Sequence, residues 1–186
     1  MIITITGKPC SGKSTIAKIL VEQHGFKRIG IGDMFKEEAK RLGLNAEEFN
    51  RLCMTDPSFD YKIDEQSATL GKKYLGKKYI FDSRLAWHFV PESFKVFVDL
   101  DEDEMARRLV NSDREGKEKY STLEEAKQTL NNRRNLEVER YKKIYNLDLS
   151  DLSNFDFIID SSNKTPQQLA DEVWYEYQAF CKQKRG

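Results

Sequence analysis

The sequence predicts a three-layer α/β/α domain built on a five-stranded parallel sheet, and three observations carry that expectation. Five short runs rich in β-branched and aromatic residues, at 2–6, 26–31, 78–82, 94–100 and 155–160, are separated by segments that are mostly of helical spacing. Strands that alternate with helices are joined by crossovers, so they run parallel and are covered on both faces. The length, 186 residues, supports one sizeable core and not two.

Taken in order, Ile2-Ile3-Thr4-Ile5-Thr6 is a buried strand by its β-branched content. Residues 15–24 follow as a helix with Ile16, Ile19 and Leu20 on one face and Gly25 as its stop. The second strand ends at Gly30-Ile31-Gly32, and Asp33 opens a helix that turns Phe35, Ala39 and Leu42 inward until Gly43. Asn45-Ala46-Glu47-Glu48 is a capping-box pattern for a short helix with Phe49, Leu52 and Cys53, ended by Asp56-Pro57. Residues 58–74 form another, with Ile63, Leu70 and Tyr74 on one side and Asp60 and Asp64 on another. Three helices between two strands exceed what a crossover needs, so 33–75 is expected to be a moving subdomain that holds a substrate.

After the strand at 94–100, Asp101-Glu102-Asp103-Glu104 caps a helix containing Arg107, Arg108 and Leu109. Residues 111–121 are almost devoid of apolar side chains, and a lid is expected at about 110–122. Ser121-Thr122-Leu123-Glu124 reads as a capping box that starts a long helix. The last helix opens with Thr165-Pro166-Gln167-Gln168, a capping box with proline at the first helical position. Leu169, Val173, Tyr177 and Cys181 form its apolar side.

Composition narrows the class. Lysine plus arginine equals aspartate plus glutamate, 31 each, which speaks against a nucleic-acid binder. No apolar run approaches a membrane span, and the chain enters a strand without signal-peptide regions. Cys10, Cys53 and Cys181 are odd in number and far apart, as reduced cytoplasmic thiols are, with neither zinc nor disulfide spacing. His24 and His88 have no neighbouring ligand candidates. A cytoplasmic monomer acting on small molecules is expected.

The chemistry begins at Gly7-Lys8-Pro9-Cys10-Ser11-Gly12-Lys13-Ser14, a G-x-x-x-x-G-K-[ST] pattern between a strand and a helix. The glycines let backbone N–H groups approach phosphates, and the helix N-terminus adds partial positive charge. Lys13 can reach the β- and γ-phosphates of a nucleoside triphosphate, and Ser14 can offer its hydroxyl to Mg²⁺. A plain turn with a surface lysine would not need those flanks. Asp82, closing a hydrophobic strand, is placed to hold a magnesium-bound water, and Arg84 follows at the rim where ligands sit. Arg108 and Arg114 flank the polar flap. On the long helix, steps of three and four from Leu123 give Ala126, Leu130, Arg133, Glu137, Arg140 and Ile144, a face apolar at its ends and charged in the middle. Such a face is either a phosphate grip or a solvated stripe with an intrahelical Glu–Arg pair.

These residues resemble the nucleoside monophosphate kinases, and most closely the short, archaeal-like cytidylate kinases. The resemblance runs through GKPCSGKS, IGIGDMFKEEAKRLGL, DPSFDYKID, FDSRLA, MARRL, RRNLEVERYKKIYNLD and FDFIIDSS, almost the whole chain. It implies a five-stranded parallel core, an acceptor subdomain, a short lid, and transfer of the ATP γ-phosphoryl group to CMP or dCMP with Mg²⁺. Carried over by position, Gly7, Lys8, Pro9, Cys10, Ser11, Gly12, Lys13, Ser14 and Thr15 would hold ATP. Asp33, Lys36, Asp60, Arg84, Arg133, Glu137 and Arg140 would hold the acceptor or the transferring group, and Arg108 would be the lid arginine on the ATP side. Lys13, Arg108, Arg133 and Arg140 would be catalytic, with Ser14 and, through water, Asp82 serving the metal. The resemblance thus favours the phosphate grip for the long helix, and the arginines are expected to converge on one pocket across from Lys13.

The sequence departs from the family at Lys36, a point charge where relatives carry an arginine fork, at Ser83 in place of glycine, and at Leu85 after Arg84. Two alternatives stand beside it. One is a kinase of the same fold with another acceptor, such as AMP, UMP, shikimate or a polynucleotide end. The other is a non-kinase ATPase or nucleotide switch, although Asn163-Lys164-Thr165-Pro166 lacks the aspartate of a guanine-reading motif.

Overall fold

Ile2, Ile3 and Ile5 are wholly buried, and so is Thr4 between them, so the first strand is covered on both faces. The computed structural model describes residues 1–111, 120 and 122–184, with every side chain among them except those of Ala46, Glu47 and Arg133. Five parallel strands, β1 (Ile3–Gly7), β2 (Lys27–Gly30), β3 (Tyr79–Asp82), β4 (Phe94–Asp99) and β5 (Phe157–Asp160), lie in the order β2-β3-β1-β4-β5. Ile5 sits beside Asp82 on one side and Val96 on the other, and Gly30 sits beside Asp82. The strand ends that carry charge therefore lie along one edge of the sheet.

Helices α1 (Lys13–His24) and α8 (Pro166–Gln183) cover one face. Ile16, Ala17 and Leu20 from α1 and Leu169, Ala170, Val173 and Tyr177 from α8 close on Ile3, Ile5, Val96 and Val98. The other face packs Ile2 and Phe81 against α4 (Ser58–Lys73) and the short α5 (Ala86–Phe89), through Ile63, Ala86 and Val90. Helices α2 (Ile31–Arg41) and α3 (Ala46–Thr55) make a small core of their own from Ala39, Phe49 and Cys53 with Phe35, Leu44, Leu52 and Phe59 around it. Leu100, Met105, Ala106, Leu109, Ala126 and Leu130 bind α6 (Glu102–Val110) to α7 (Leu123–Tyr145).

Local chemistry sets most boundaries where the sequence predicts them. Asn45 accepts from the Glu48 N–H at 2.9 Å while Glu48 accepts from the Asn45 N–H at 2.8 Å, and Thr165 with Gln168 closes the corresponding box on α8. Asp101 caps α6 by accepting from the N–H groups of Asp103 and Glu104. Some boundaries differ. Helix α2 begins at Ile31, because Gly30 is the extended cap residue, which leaves Asp33 inside the first turn. The cap of α7 is Thr122, which accepts from the Glu125 N–H at 3.1 Å, one residue later than expected. The fifth strand begins only at Phe157, after a 3-10 turn at Leu152–Asn154. Helix α5 escapes sequence reading; Ser83 Oγ accepts from the N–H groups of Leu85 and Ala86, both at 3.2 Å, and starts it. The flap at 111–121 lies almost wholly outside the described residues, as does Arg114.

Gly7 ends β1 at φ +150°, and a Cβ there would stand 2.1 Å from the Val98 carbonyl oxygen. Gly7→Ala is expected to lower stability by about 2–4 kcal/mol through backbone strain and displacement of β4. Urea unfolding checks this: a wild-type midpoint would mean that β4 moves aside freely.

Candidate active site

The chain leaves β1 at Gly7, passes Cys10 at φ +58° and Gly12 at φ +87°, and enters α1 at Lys13. The N–H groups of Thr15 and Ile16 donate to the Gly12 carbonyl at 2.9 and 3.0 Å, so the first turn of α1 starts directly from the loop. Lys8 ties the loop to the end of β4, with its Nζ 2.8 Å from Asp99 Oδ1 and 2.9 Å from the Leu100 carbonyl oxygen. Lys13 folds back over the loop, donating to the carbonyls of Gly7 at 3.0 Å and Lys8 at 2.7 Å. The buried Oγ of Ser11 has no hydrogen-bond partner among the described residues.

Ser14 and Asp82, which the sequence reading assigns separately to the metal and its water, lie in contact. Ser14 Oγ donates to Asp82 Oδ2 at 2.6 Å, which joins the first turn of α1 to the end of β3. A hydroxyl and a carboxylate are hard oxygen donors. Magnesium takes few such protein ligands and completes its shell with water and phosphate, so this donor set fits Mg²⁺. Arg28 on β2 joins the same oxygen with Nε at 3.1 Å and Nη2 at 2.7 Å, while its Nη1 reaches Asp33 Oδ2 at 2.9 Å. Burial works against the Arg28 charge, but hydrogen bonds to Asp82 and Asp33 outweigh it and push Arg28 above the usual guanidinium value. Lys36 lies 3.8 Å from the other oxygen of Asp33.

Beyond β3, Arg84 pairs with Glu137 of α7. The expected open grip on α7 is only partly present. Arg140 is 4% exposed and is taken up by the helices of residues 31–73. Its Nη1 donates to Asn50 at 3.1 Å, its Nη2 to the Tyr141 hydroxyl at 2.9 Å, and its Nε lies 3.6 Å from Asp60 Oδ2. The Phe35 and Tyr141 rings lie under the guanidinium, at 5.7 and 4.8 Å. Aromatic faces and a buried carboxylate hold this cation away from solvent. The arginines therefore do not all share one open pocket in this conformation. Arg108 stands elsewhere, on α6, donating to the Ser161 carbonyl at 2.7 Å and the Cys10 carbonyl at 3.4 Å, beside the phosphate loop. The Arg133 side chain is outside those described.

Several partners were not visible in the sequence. Arg28 reads as an ordinary polar residue of an edge strand, and only the register that sets Gly30 beside Asp82 reveals it. Tyr145 donates to Asp64 at 2.5 Å and packs on Phe89 and Tyr61. Its helical step from Tyr141 was the available signal. Asn50 and Asp99 carried none.

Burial pushes the Asp64 carboxyl up to about 6 against the Tyr145 hydrogen bond, and burial raises Asp60 against the Arg140 charge. For Asp64 the folded value lies above the unfolded one, 3.8. Its contribution to stability is fully present below about pH 4 and is lost as pH rises through 6, a change of up to about 3 kcal/mol. Asp64→Asn keeps an acceptor for Tyr145 without the charge, so the stability of the variant relative to wild type should climb between pH 4 and 7. Urea titrations at several pH values measure it, and a flat difference would mean that Asp64 remains ionised when folded.

Among the described residues no helix is long and apolar enough to cross a membrane, and no cluster of three or more His, Cys, Asp and Glu side chains forms a metal-binding group. The model of the cytidylate kinase-like family matches residues 2–163. A curated relative named cytidylate kinase, from Methanothrix thermoacetophila, is 38% identical over 161 residues, covering 87% of this chain and 88% of its own. Another of that name, from Methanocella arvoryzae, is 35% identical over 162 residues, with shares of 87% and 88%. Among solved structures, a shikimate kinase from Aquifex aeolicus overlays with a TM-score of 0.58 at 19% identity, covering 97% of this chain and 98% of its own. That likeness is one of fold, the phosphate-loop kinase fold. The likeness to the curated relatives extends through the arginine-bearing helix and far beyond the loop, and the chain belongs to the cytidylate kinase-like family.

Proposed function

We propose that the protein transfers the γ-phosphoryl group of ATP to CMP or dCMP, as the name of its relatives suggests, and that it does so as a cytoplasmic monomer. The observation that carries the reading is the 2.6 Å contact of Ser14 with Asp82 at the mouth of a phosphate loop. Bound there, Mg²⁺ would supply charge neutralisation for the phosphate oxygens.

The chain's own groups do the rest. Lys13 exchanges two loop carbonyls for the β- and γ-phosphates, and the N–H groups at the start of α1 face the same anion. Arg108, beside Cys10, serves the ATP side. Arg84 and Arg133 hold the acceptor phosphate as forks, with Glu137 orienting Arg84, and Lys36 and Asp33 stand on the acceptor helix. Asp60 and Arg140 join the acceptor subdomain to α7, so Arg140 acts by bringing residues 33–75 to the transfer site. An acceptor that is already an anionic phosphate needs no separate base. Positioned cations and excluded water then provide most of the acceleration.

An ADP-release assay across CMP, dCMP, UMP, AMP and shikimate tests the reading. Turnover is expected with CMP or dCMP; turnover confined to another acceptor would reassign the substrate, and acceptor-independent hydrolysis would remove the kinase. Lys13→Ala should lower kcat with CMP by about 10³-fold or more while leaving the thermal unfolding midpoint nearly unchanged. Near-normal turnover in that variant would displace the ATP site.

A further inference from the structure

Asp82 carries more donors than a carboxylate awaiting a cation needs. Its side chain is 8% exposed, and Ser14 Oγ, Arg28 Nε and Arg28 Nη2 all converge on Oδ2, at 2.6, 3.1 and 2.7 Å. The fork is made room for. A Cβ on Gly30 would stand 2.7 Å from Arg28 Nη2 and 2.3 Å from Asp33 Oδ2, so a side chain there would push the ends of Arg28 and Asp33 aside from this arrangement. The result is a row of alternating charge along the sheet edge, Asp82, Arg28, Asp33 and Lys36, with the Ser14 hydroxyl at its head.

We propose that Arg28 is the resident counter-ion of Asp82: it occupies the carboxylate while the cation site is vacant and yields it, keeping Asp33, when a magnesium nucleotide binds. The inference rests on the assignment of Ser14 and Asp82 to the metal. Two physical facts carry it. A buried carboxylate without a partner is costly, so a fixed cation is needed in the metal-free protein. That same fixed cation repels a divalent one and competes for the lone pairs that a metal-bound water would use. Asp33, half exposed at the start of α2, is the second anchor that lets Arg28 turn aside without losing an ion pair. Arg28 is thus a positioning residue that acts on the metal site through Asp82, antagonistically.

Antagonism gives opposite signs on the two sides of the row. The quantity to measure is the ratio of ADP affinities with excess Mg²⁺ and with EDTA, by calorimetry and without any acceptor. Arg28→Gln should raise that ratio about fivefold or more, since a repelling charge and a competing donor are both removed. Asp33→Asn should lower it, because Arg28 then has Asp82 alone to hold. Arg28→Lys, which keeps the charge, should stay close to wild type. In EDTA alone, Arg28→Gln should also melt below Arg28→Lys, and added Mg²⁺ with ADP should narrow the gap.

A fall in the ratio for Arg28→Gln would make Arg28 a support of the metal site and overturn the proposal, as would an unchanged ratio. If Arg28→Gln does not fold, Asp33→Asn decides alone, and a ratio at or above wild type overturns it. A wild-type protein whose ADP affinity ignores Mg²⁺ would sink the metal assignment itself, a result distinct from any difference among variants.

Discussion

Strand β1 is held on both sides by parallel ladders, and the placement of the charged groups at the strand ends follows from that. Parallel strands joined by crossovers all end at the same edge, so the C-terminal ends of β1, β2, β3 and β4 lie side by side. The register then fixes the neighbours: Asp82 beside Ile5 and Gly30, and Gly7 beside Val98. With Ile2, Ile3 and Ile5 wholly buried, a slip of one residue would turn isoleucines toward the wrong layer, and the hydrophobic cost holds the ladder in place. The phosphate loop thus starts from a strand that cannot shift.

Charge at this edge is balanced locally. Asp82 has Arg28 and Asp99 has Lys8, the latter pair 2.8 Å apart and only partly exposed. Lys13 rests on carbonyl oxygens of its own loop, which are weaker partners than phosphates. Such contacts would suit the exchange of partners that the proposed function requires when an anion and a cation arrive together. They also keep Asp82 and Asp99 from standing as unpaired charges at the edge.

The cluster between residues 31–73 and α7 obeys different physics. Asp60 and Arg140 are nearly inaccessible, 3.6 Å apart, and the facing atoms make no hydrogen bond among the described residues. A buried ion pair with imperfect geometry repays little of its desolvation cost. Its partners there are better made: Asn50 and the Tyr141 hydroxyl on Arg140, and the short contact of Tyr145 with Asp64. Together they fasten α7 to α3 and α4, so α7 links those helices to Arg84 at the end of β3.

Much of this was legible in the chain. The five strands and the caps at Asn45, Asp101 and Thr165 all follow from local patterns, because caps, periodicity and strand ends are short-range features. The family was legible for the same reason, since its motifs are contiguous. What the amino acids alone could not decide was which cation faces which carboxylate. Arg28 reaches Asp82 across 54 positions, Arg108 reaches Cys10 across 98, and Arg140 reaches Asn50 across 90. Such pairings depend on strand register and helix packing, which are properties of the whole core, and one helix face can turn its charges outward to a ligand or inward to a neighbour with the same sequence. Packing turned Arg140 inward and brought Arg28 to Asp82.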